Sequence, residues 1–258
     1  MSAFRVVIPA RFASTRLPGK PLLPIAGRPM IQWAWERAME SAATEVWIAT
    51  DHEEVAAACR TFGAKVCMTD PAHASGTDRI AEVATQRGWD EDVVVVNVQG
   101  DEPLLPPAVI RQVAELLLLQ PDADMGTLGT PIHTLEEFLD PNVVKLVMRA
   151  DGAALYFSRA AIPWHRDGAA AGVASQQRFG GAMRHLGLYS YRVGALQRLA
   201  ATPPCQLEEI ERLEQLRALW LGLRIQVDAA SEVPPAGIDT AADLERVNRW
   251  LAAHPPAR

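Results

Sequence analysis

Val93-Val94-Val95-Val96-Asn97-Val98-Gln99-Gly100-Asp101-Glu102-Pro103 passes from an apolar run directly into a polar turn. Apolar residues at nearly every position, rather than at alternate ones, describe a strand covered on both faces, as a central parallel strand is. The run ends in Gln99-Gly100-Asp101-Glu102, so Asp101 stands at the carboxyl edge of the expected sheet. Gly100 permits tight backbone geometry there, or the close approach of a ligand. A carboxylate at that edge suits Mg²⁺, a hard cation held by a few carboxylates together with substrate phosphates. A turn Asp, or a cap before Pro106, fits the same residue.

Working outward, the first half alternates strands with helices. Strands are expected at residues 4–8, 46–49 and 64–68, and helices at 29–43, 53–62, 78–86 and 106–119. This alternation implies right-handed βαβ units and a parallel sheet. The second half changes character, with strands at 125–131, 143–148, 154–157 and 187–193 joined by irregular links, which implies a mixed sheet. Residues 166–181 are rich in Ala, Gly, Ser and Gln and read as a surface loop. A helix over 207–221, a strand at 224–227 and a last helix from Thr240 restore the α/β pattern. There is no internal repeat and no long linker, so the chain reads as one domain over 1–258. Its parts are a first half (1–122), a second half (123–228) and a closing segment with its helix (229–258).

Ligands of open α/β sheets bind beyond the carboxyl ends of the strands, at a topological switch point. The loop after the first strand, Pro9-Ala10-Arg11-Phe12-Ala13-Ser14-Thr15-Arg16-Leu17-Pro18-Gly19-Lys20, therefore matters. It offers Arg11, Arg16 and Lys20, with Ser14 and Thr15 between them, a set suited to a polyphosphate. It matches neither GxxxxGK[ST] nor GxGxxG. Near the carboxyl end, Gly237-Ile238-Asp239-Thr240 supplies another acidic position. Either Asp239 or Thr240 can cap the last helix, or Thr240 caps while Asp239 faces the cleft. On the 207–221 helix, Leu207, Ile210, Leu213 and Trp220 define an apolar side, and Glu214 shares it. An inward carboxylate needs a partner, either an Arg or a polar ligand.

Composition narrows the classes. Over 258 residues, 49% hydrophobic and 22% charged is a globular mixture, and a net charge of −6 argues against a general nucleic-acid binder. The cysteines, Cys59, Cys67 and Cys205, have no zinc spacing and fit a reducing compartment. Pro9 interrupts the first apolar segment before a signal-peptide core develops, and no apolar run approaches the roughly 20 residues of a membrane span. A cytoplasmic location without membrane insertion is expected.

The blocks PARFASTRLPGKPL, ATDHEEV, SGTDR, VNVQGDEP, ALYFSRAAIPW, RHLGLYSY, LEQLR and GIDTAADLERV, in order from residue 6 to 247, resemble the CMP-KDO synthetases, the 3-deoxy-manno-octulosonate cytidylyltransferases. The resemblance implies a Rossmann-like nucleotide-sugar transferase fold, with a central, mainly parallel mixed sheet and a smaller substrate and dimerisation lobe. It makes 1–122 the nucleotide-binding half, 123–228 the sugar-binding and dimerisation half, and 229–258 the closing metal-binding segment. It implies Mg²⁺-dependent transfer of CMP from CTP to KDO for lipopolysaccharide biosynthesis, by a homodimer. Catalytic roles would fall to Arg11, Lys20, Asp101 and Asp239, with Asp101 and Asp239 as metal ligands. Ala10, Arg11, Ser14, Arg16, Lys20, Ser75, Gly76 and Gln99 would bind the nucleotide. Arg159, His185, Tyr189, Glu214 and Gln215 would contact the sugar. The competing readings are a sialic acid cytidylyltransferase, a modified KDO such as the 8-amino form as acceptor, and a non-catalytic nucleotide-binding protein on the same fold.

Overall fold

In the computed structural model, residues 3–13, 17–168, 172 and 175–254 are described. The first half runs β1 (Phe4–Pro9), a short pair β2 (Pro24–Ile25) and β3 (Arg28–Pro29), then α1 (Met30–Glu40) and β4 (Glu45–Thr50). It continues with α2 (Glu53–Thr61), β5 (Lys65–Met68), α3 (Gly76–Gln86), β6 (Val94–Asn97) and α4 (Pro107–Leu118). The second half holds β7 (Met125–Pro131), α5 (Leu135–Leu139), β8 (Lys145–Met148), β9 (Ala154–Ser158) and β10 (Met183–Arg192). After these come α6 (Val193–Ala200), α7 (Gln206–Glu211), α8 (Gln215–Trp220), β11 (Ile225–Ala229) and α9 (Ala241–Ala253).

The main sheet has the order β11-β7-β10-β6-β1-β4-β5, with β8 pairing both β10 and β9. The valine strand β6 is buried along its whole length, as its unbroken apolar pattern requires. On one side β1 pairs in parallel with β4 and on the other with β6, so Val6 lies between Val46 and Val96. The chain goes out from β1 to β5 and returns to β6 on the far side of β1. That reversal opens a crevice between the loops leaving β1 and β6. Antiparallel β10 then joins β6 to β7, and β11 returns parallel to β7. The alternation of strand side chains feeds two cores: Val6, Ile8 and Val96 meet Ile31 and Ile110, while Val7 and Val95 meet Ile80 and Leu196. A third cluster packs Ile238, Val247 and Leu251 against Ile25, Met30 and Trp33, which fastens α9 beside the crevice. Among the described residues no helix is long and apolar enough to cross a membrane.

Two expectations fail in the second half. The helix expected over 207–221 is two helices, α7 and α8, broken at Arg212, which adopts the left-handed conformation (φ 54°). With the break, the helical period no longer runs through: Ile210 and Trp220 are 71% and 63% exposed while Leu213 is buried. The expected apolar side therefore does not exist. The second failure is at β10, which starts at Met183 and runs straight into α6 at Val193, where the sequence suggested a strand confined to 187–193. Val193-Gly194-Ala195-Leu196 carries no capping side chain, so no signal marked the change.

Candidate active site at the crossover of the sheet

Three separate stretches of chain meet on one ammonium group. Gly19, in the left-handed conformation (φ 64°), turns the basic loop into a short helical turn at Lys20–Leu22. Lys20 Nζ then donates to Asp101 Oδ2 at 2.5 Å and to Asp239 Oδ1 at 3.2 Å. Asp101 arrives there because Gly100 lets the turn after β6 lie against β1: a Cβ would stand 3.2 Å from the Pro9 carbonyl oxygen and 3.1 Å from Ile31. Asp239 arrives because the Ile238 N–H donates to the Asp101 carbonyl at 2.9 Å. Thr240 takes the cap of α9, accepting from the Asp243 N–H, and Asp243 reciprocates. The Thr240 hydroxyl, and after it Arg246, hold the Asp243 carboxyl well below the usual carboxylate range. The cap and the cleft-facing carboxylate are thus separate residues.

These groups border a cavity of about 370 Å³. Of the residues the sequence nominated for a nucleotide, Ala10, Arg11, Lys20, Ser75, Gly76 and Gln99 line it, together with Asp101 and Asp239. Ser14 and Arg16 lie outside the described residues. Ser75 forms a reciprocal capping box with Asp78 at the start of α3, and a Cβ on Gly76 would stand 3.2 Å from Pro9. Two further residues in the wall, His73 and Arg79, were not assigned from the sequence. His73 Nε2 lies 2.6 Å from Glu82, and Arg79 is buried against Thr69 and Asp51. Nothing in a one-dimensional pattern distinguishes such an Arg from a surface helix residue, although the SGTDR block contained it.

A smaller cavity, about 110 Å³, opens next to the first and shares Gln99 with it. Tyr189, Glu214 and Gln215 line it along with Asn97 and Tyr191. The Tyr189 hydroxyl and Asn97 Oδ1 are buried without a hydrogen-bond partner. Buried polar atoms are normally satisfied, so this cavity is equipped to receive a hydroxylated ligand or water. Glu214 is already engaged: Oε2 accepts from the Thr77 hydroxyl at 2.6 Å and Oε1 from Arg217 at 3.0 Å. Burial raises the hydroxyl pKa of Tyr189.

The other two sugar candidates lie elsewhere. His185 does not line the cavity; its ring sits 5.3 Å from Tyr189 and edge-on to Phe157. The one hydroxyl proton of Thr127 goes to the Leu188 carbonyl at 2.8 Å. His185 Nε2, 3.0 Å from Thr127 Oγ1, must then be the donor, which assigns the neutral Nε2–H tautomer. Burial pushes this imidazole down to about 3. Arg159 lines neither cavity. Its Nε donates to the Glu211 carbonyl at 2.7 Å and its backbone N–H to the Glu211 carboxylate at 2.8 Å, so it ties β9 to the end of α7.

Among the described residues no cluster of three or more His, Cys, Asp or Glu side chains could hold a metal ion. Asp101 and Asp239 nevertheless converge on a single cation, Lys20. Two hard oxygen donors of this kind fit Mg²⁺, which takes few protein carboxylates and completes its shell with phosphate oxygens and water.

Comparison with known proteins identifies the family of the chain. The cytidylyltransferase family matches residues 5–225. A 3-deoxy-manno-octulosonate cytidylyltransferase of Thioalkalivibrio sulfidiphilus is 56% identical over 251 residues, covering 97% of this chain and 100% of the relative. Another, of Pseudomonas fluorescens, is 55% identical over 98% of this chain and 99% of its own. Among solved structures, CMP:2-keto-3-deoxy-manno-octonic acid synthetase complexed with CTP superposes with a TM-score of 0.87 at 38% identity, covering 98% of this chain and 100% of that one. A cytidylyltransferase from Leptospira borgpetersenii, at 16% identity and a TM-score of 0.62, shares the fold.

Proposed function

Since this chain belongs to the cytidylyltransferase family, we propose that it transfers CMP from CTP to the anomeric hydroxyl of KDO, giving CMP-KDO and pyrophosphate for lipopolysaccharide biosynthesis. The observation that carries the reading is the meeting of Lys20, Asp101 and Asp239 in the wall of a cavity that shares Gln99 with a second one. One cavity sets Arg11, Lys20 and Arg79 beside the carboxylates of Asp101 and Asp239, as a metal-bound triphosphate needs. The other holds the unpartnered Tyr189 hydroxyl beside Glu214 and Gln215, as a polyhydroxylated acid needs.

In this reading Arg11 and Lys20 neutralise the triphosphate, and Ala10, Ser75, Gly76 and Gln99 shape the nucleotide cleft. The sugar hydroxyl attacks the α-phosphorus in line: its oxygen–phosphorus bond forms, its proton passes to water, the α-phosphorus bond to the bridging oxygen of the β-phosphate breaks, and pyrophosphate leaves. Such transfers need positioning and charge neutralisation more than a protein nucleophile. Asp101 and Asp239 would hold Mg²⁺, which supplies Lewis-acid polarisation and lowers the pKa of a coordinated hydroxyl. Lys20 keeps the two carboxylates together and offers the same charge to the phosphates. Tyr189, Glu214 and Gln215 orient the acceptor through the shared wall at Gln99, while His185 supports Tyr189 from behind the cavity surface.

The enzyme would work in the cytoplasm as a homodimer. Support for the second copy comes from apolar side chains displayed by the second half: Leu155 on β9 is 56% exposed, Trp164 46% and Ile210 71%.

Pyrophosphate release from the purified protein with Mg²⁺, CTP and either KDO or N-acetylneuraminate tests the reaction. Release with KDO, abolished by EDTA, is expected. Release with N-acetylneuraminate alone would transfer the assignment to a sialic acid enzyme. Silence with both would remove the catalytic reading for these acceptors and leave a modified KDO or a binding role.

A further inference from the structure

The segment Ala49-Thr50-Asp51-His52, at the carboxyl end of β4, has no part in the chemistry above, yet it grips the basic loop along its first turn. The Ala10 N–H donates to the Ala49 carbonyl at 2.8 Å, and the Thr50 hydroxyl donates to the Ala10 carbonyl at 2.7 Å. One residue further on, the Phe12 N–H donates to Asp51 Oδ1 at 3.3 Å. The Phe12 ring stacks on His52 with centroids 3.9 Å apart and planes 10° from parallel. The same ring touches the far end of the loop: its edge lies 3.6 Å from where a Cβ on Gly19 would stand, immediately before Lys20. Phe12 is therefore the point at which the two ends of the loop are joined, with Arg11 on one side and Lys20 on the other.

Asp51 is in turn fixed from the opposite direction. Its second oxygen, Oδ2, accepts from Arg79 Nη2 at 2.9 Å, and Arg79 Nη1 donates to the Thr69 hydroxyl at 2.5 Å. The two side chains are only 13% and 3% exposed. In so sheltered a place the two side chains depend on each other, and losing either partner strands the other. Arg79 belongs to α3, whose N-cap Ser75 and first residue Gly76 also line the larger cavity. One carboxylate thus ties the basic loop to α3, with an oxygen committed to each.

We propose that Asp51 is a positioning residue for phosphate binding. By holding the Phe12 amide on one oxygen and Arg79 on the other, it fixes the separation of Arg11 and Lys20 from the start of α3, and so sets the affinity for the polyphosphate rather than for the sugar. This rests on the nucleotide reading above. It predicts an asymmetry that a buried pair serving the fold alone would not produce.

Asp51→Asn keeps the shape of the side chain and an oxygen for the Phe12 N–H, but presents an uncharged amide to Arg79. The KM for CTP should rise about tenfold or more, the scale of one hydrogen bond to a charged group, while the KM for KDO holds. Amide hydrogen exchange over residues 8–22 should quicken, with β7 and α9 unchanged. Equal shifts in both KM values, or unchanged exchange in 8–22 with an unchanged KM for CTP, would overturn the proposal. If Asp51→Asn fails to fold, His52→Ala decides: it removes only the stack on Phe12. A selective rise in the KM for CTP with faster exchange supports the clasp, and its absence refutes it. Hydrogen exchange needs no substrate, so a wild-type protein inert towards CTP would overturn the nucleotide reading while the exchange comparison still judged the clasp.

Discussion

The two cavities share a wall at Gln99 but are built by different means. On the larger side several lining residues stand at the end of a strand or the start of a helix: Ala10 after β1, Asp101 after β6, Ser75 as the N-cap of α3, and Asp239 beside the N-cap Thr240. On the smaller side Tyr189 follows an irregular register between β10 and β7, and Glu214 precedes α8 after a left-handed break at Arg212. The first construction relies on backbone geometry that many sequences share. The second relies on side chains holding one another, Glu214 on Thr77 and Arg217. Substitutions on the first side should therefore affect chemistry with little change in folding, and those on the second should affect both.

The largest expected effect lies where Lys20 meets Asp101 and Asp239. Asp101→Asn should lower kcat/KM by about a thousandfold, the scale of losing a preorganised electrostatic group at the reacting phosphate. The melting temperature should move little, because the Asp101 carbonyl that holds Ile238 remains. A loss of activity that merely tracked unfolding would break the contrast between the sides.

Next comes Glu214→Gln. It leaves a group that can still bond Thr77 but no longer neutralises Arg217, which is buried and also pairs with Glu208. The KM for KDO should rise by about tenfold, with a measurable drop in stability from the weakened ion pair. Steady-state kinetics against each substrate, together with a urea titration, separates the two parts. A rise confined to the KM for CTP would assign Glu214 to the wrong cavity.

How much of this could be read from the sequence follows the same division. The valine strand, the basic loop, Asp101 and the Thr240 cap were legible because each depends on a local rule: an apolar run, a strand exit, an N-cap hydroxyl. Asp239 was legible as one of two options, and the structure separated it from the cap. Arg159 looked like a sugar ligand because its block resembled the family, but its bonds run to Glu211 and Pro141. The break at Arg212 was illegible because Leu207, Ile210, Leu213 and Trp220 keep a helical period on paper; only the left-handed residue between them, which carries no Gly or Asn, dissolves it. Asp51 and Arg79 were illegible for another reason: they meet across 28 positions, and no periodicity spans that interval.

The smaller side also predicts a pH effect. His185 titrates at about 3 in the folded chain against 6.5 without burial, so between those values the unfolded chain binds the extra proton. Stability present above pH 6.5 should decline as the pH falls towards 3, and His185→Asn should flatten that limb. Urea midpoints at pH 7 and pH 4 measure it; an equally steep decline in the variant would assign the acid limb to other groups.

The smallest effect tests the larger side by its own rule. Thr240→Ala removes the hydroxyl that accepts the Asp243 N–H and should cost about 1 kcal/mol, as N-cap losses do. If backbone geometry alone positions Asp239, the hydrogen bond from Ile238 to the Asp101 carbonyl keeps it in place and the KM for CTP changes little. Thr240→Ser restores the hydroxyl and should recover the lost stability, which identifies the cap as its source. A KM for CTP that rose with Thr240→Ala and recovered with Thr240→Ser would show that Asp239 depends on a neighbouring side chain after all, and the two cavities would then be built alike.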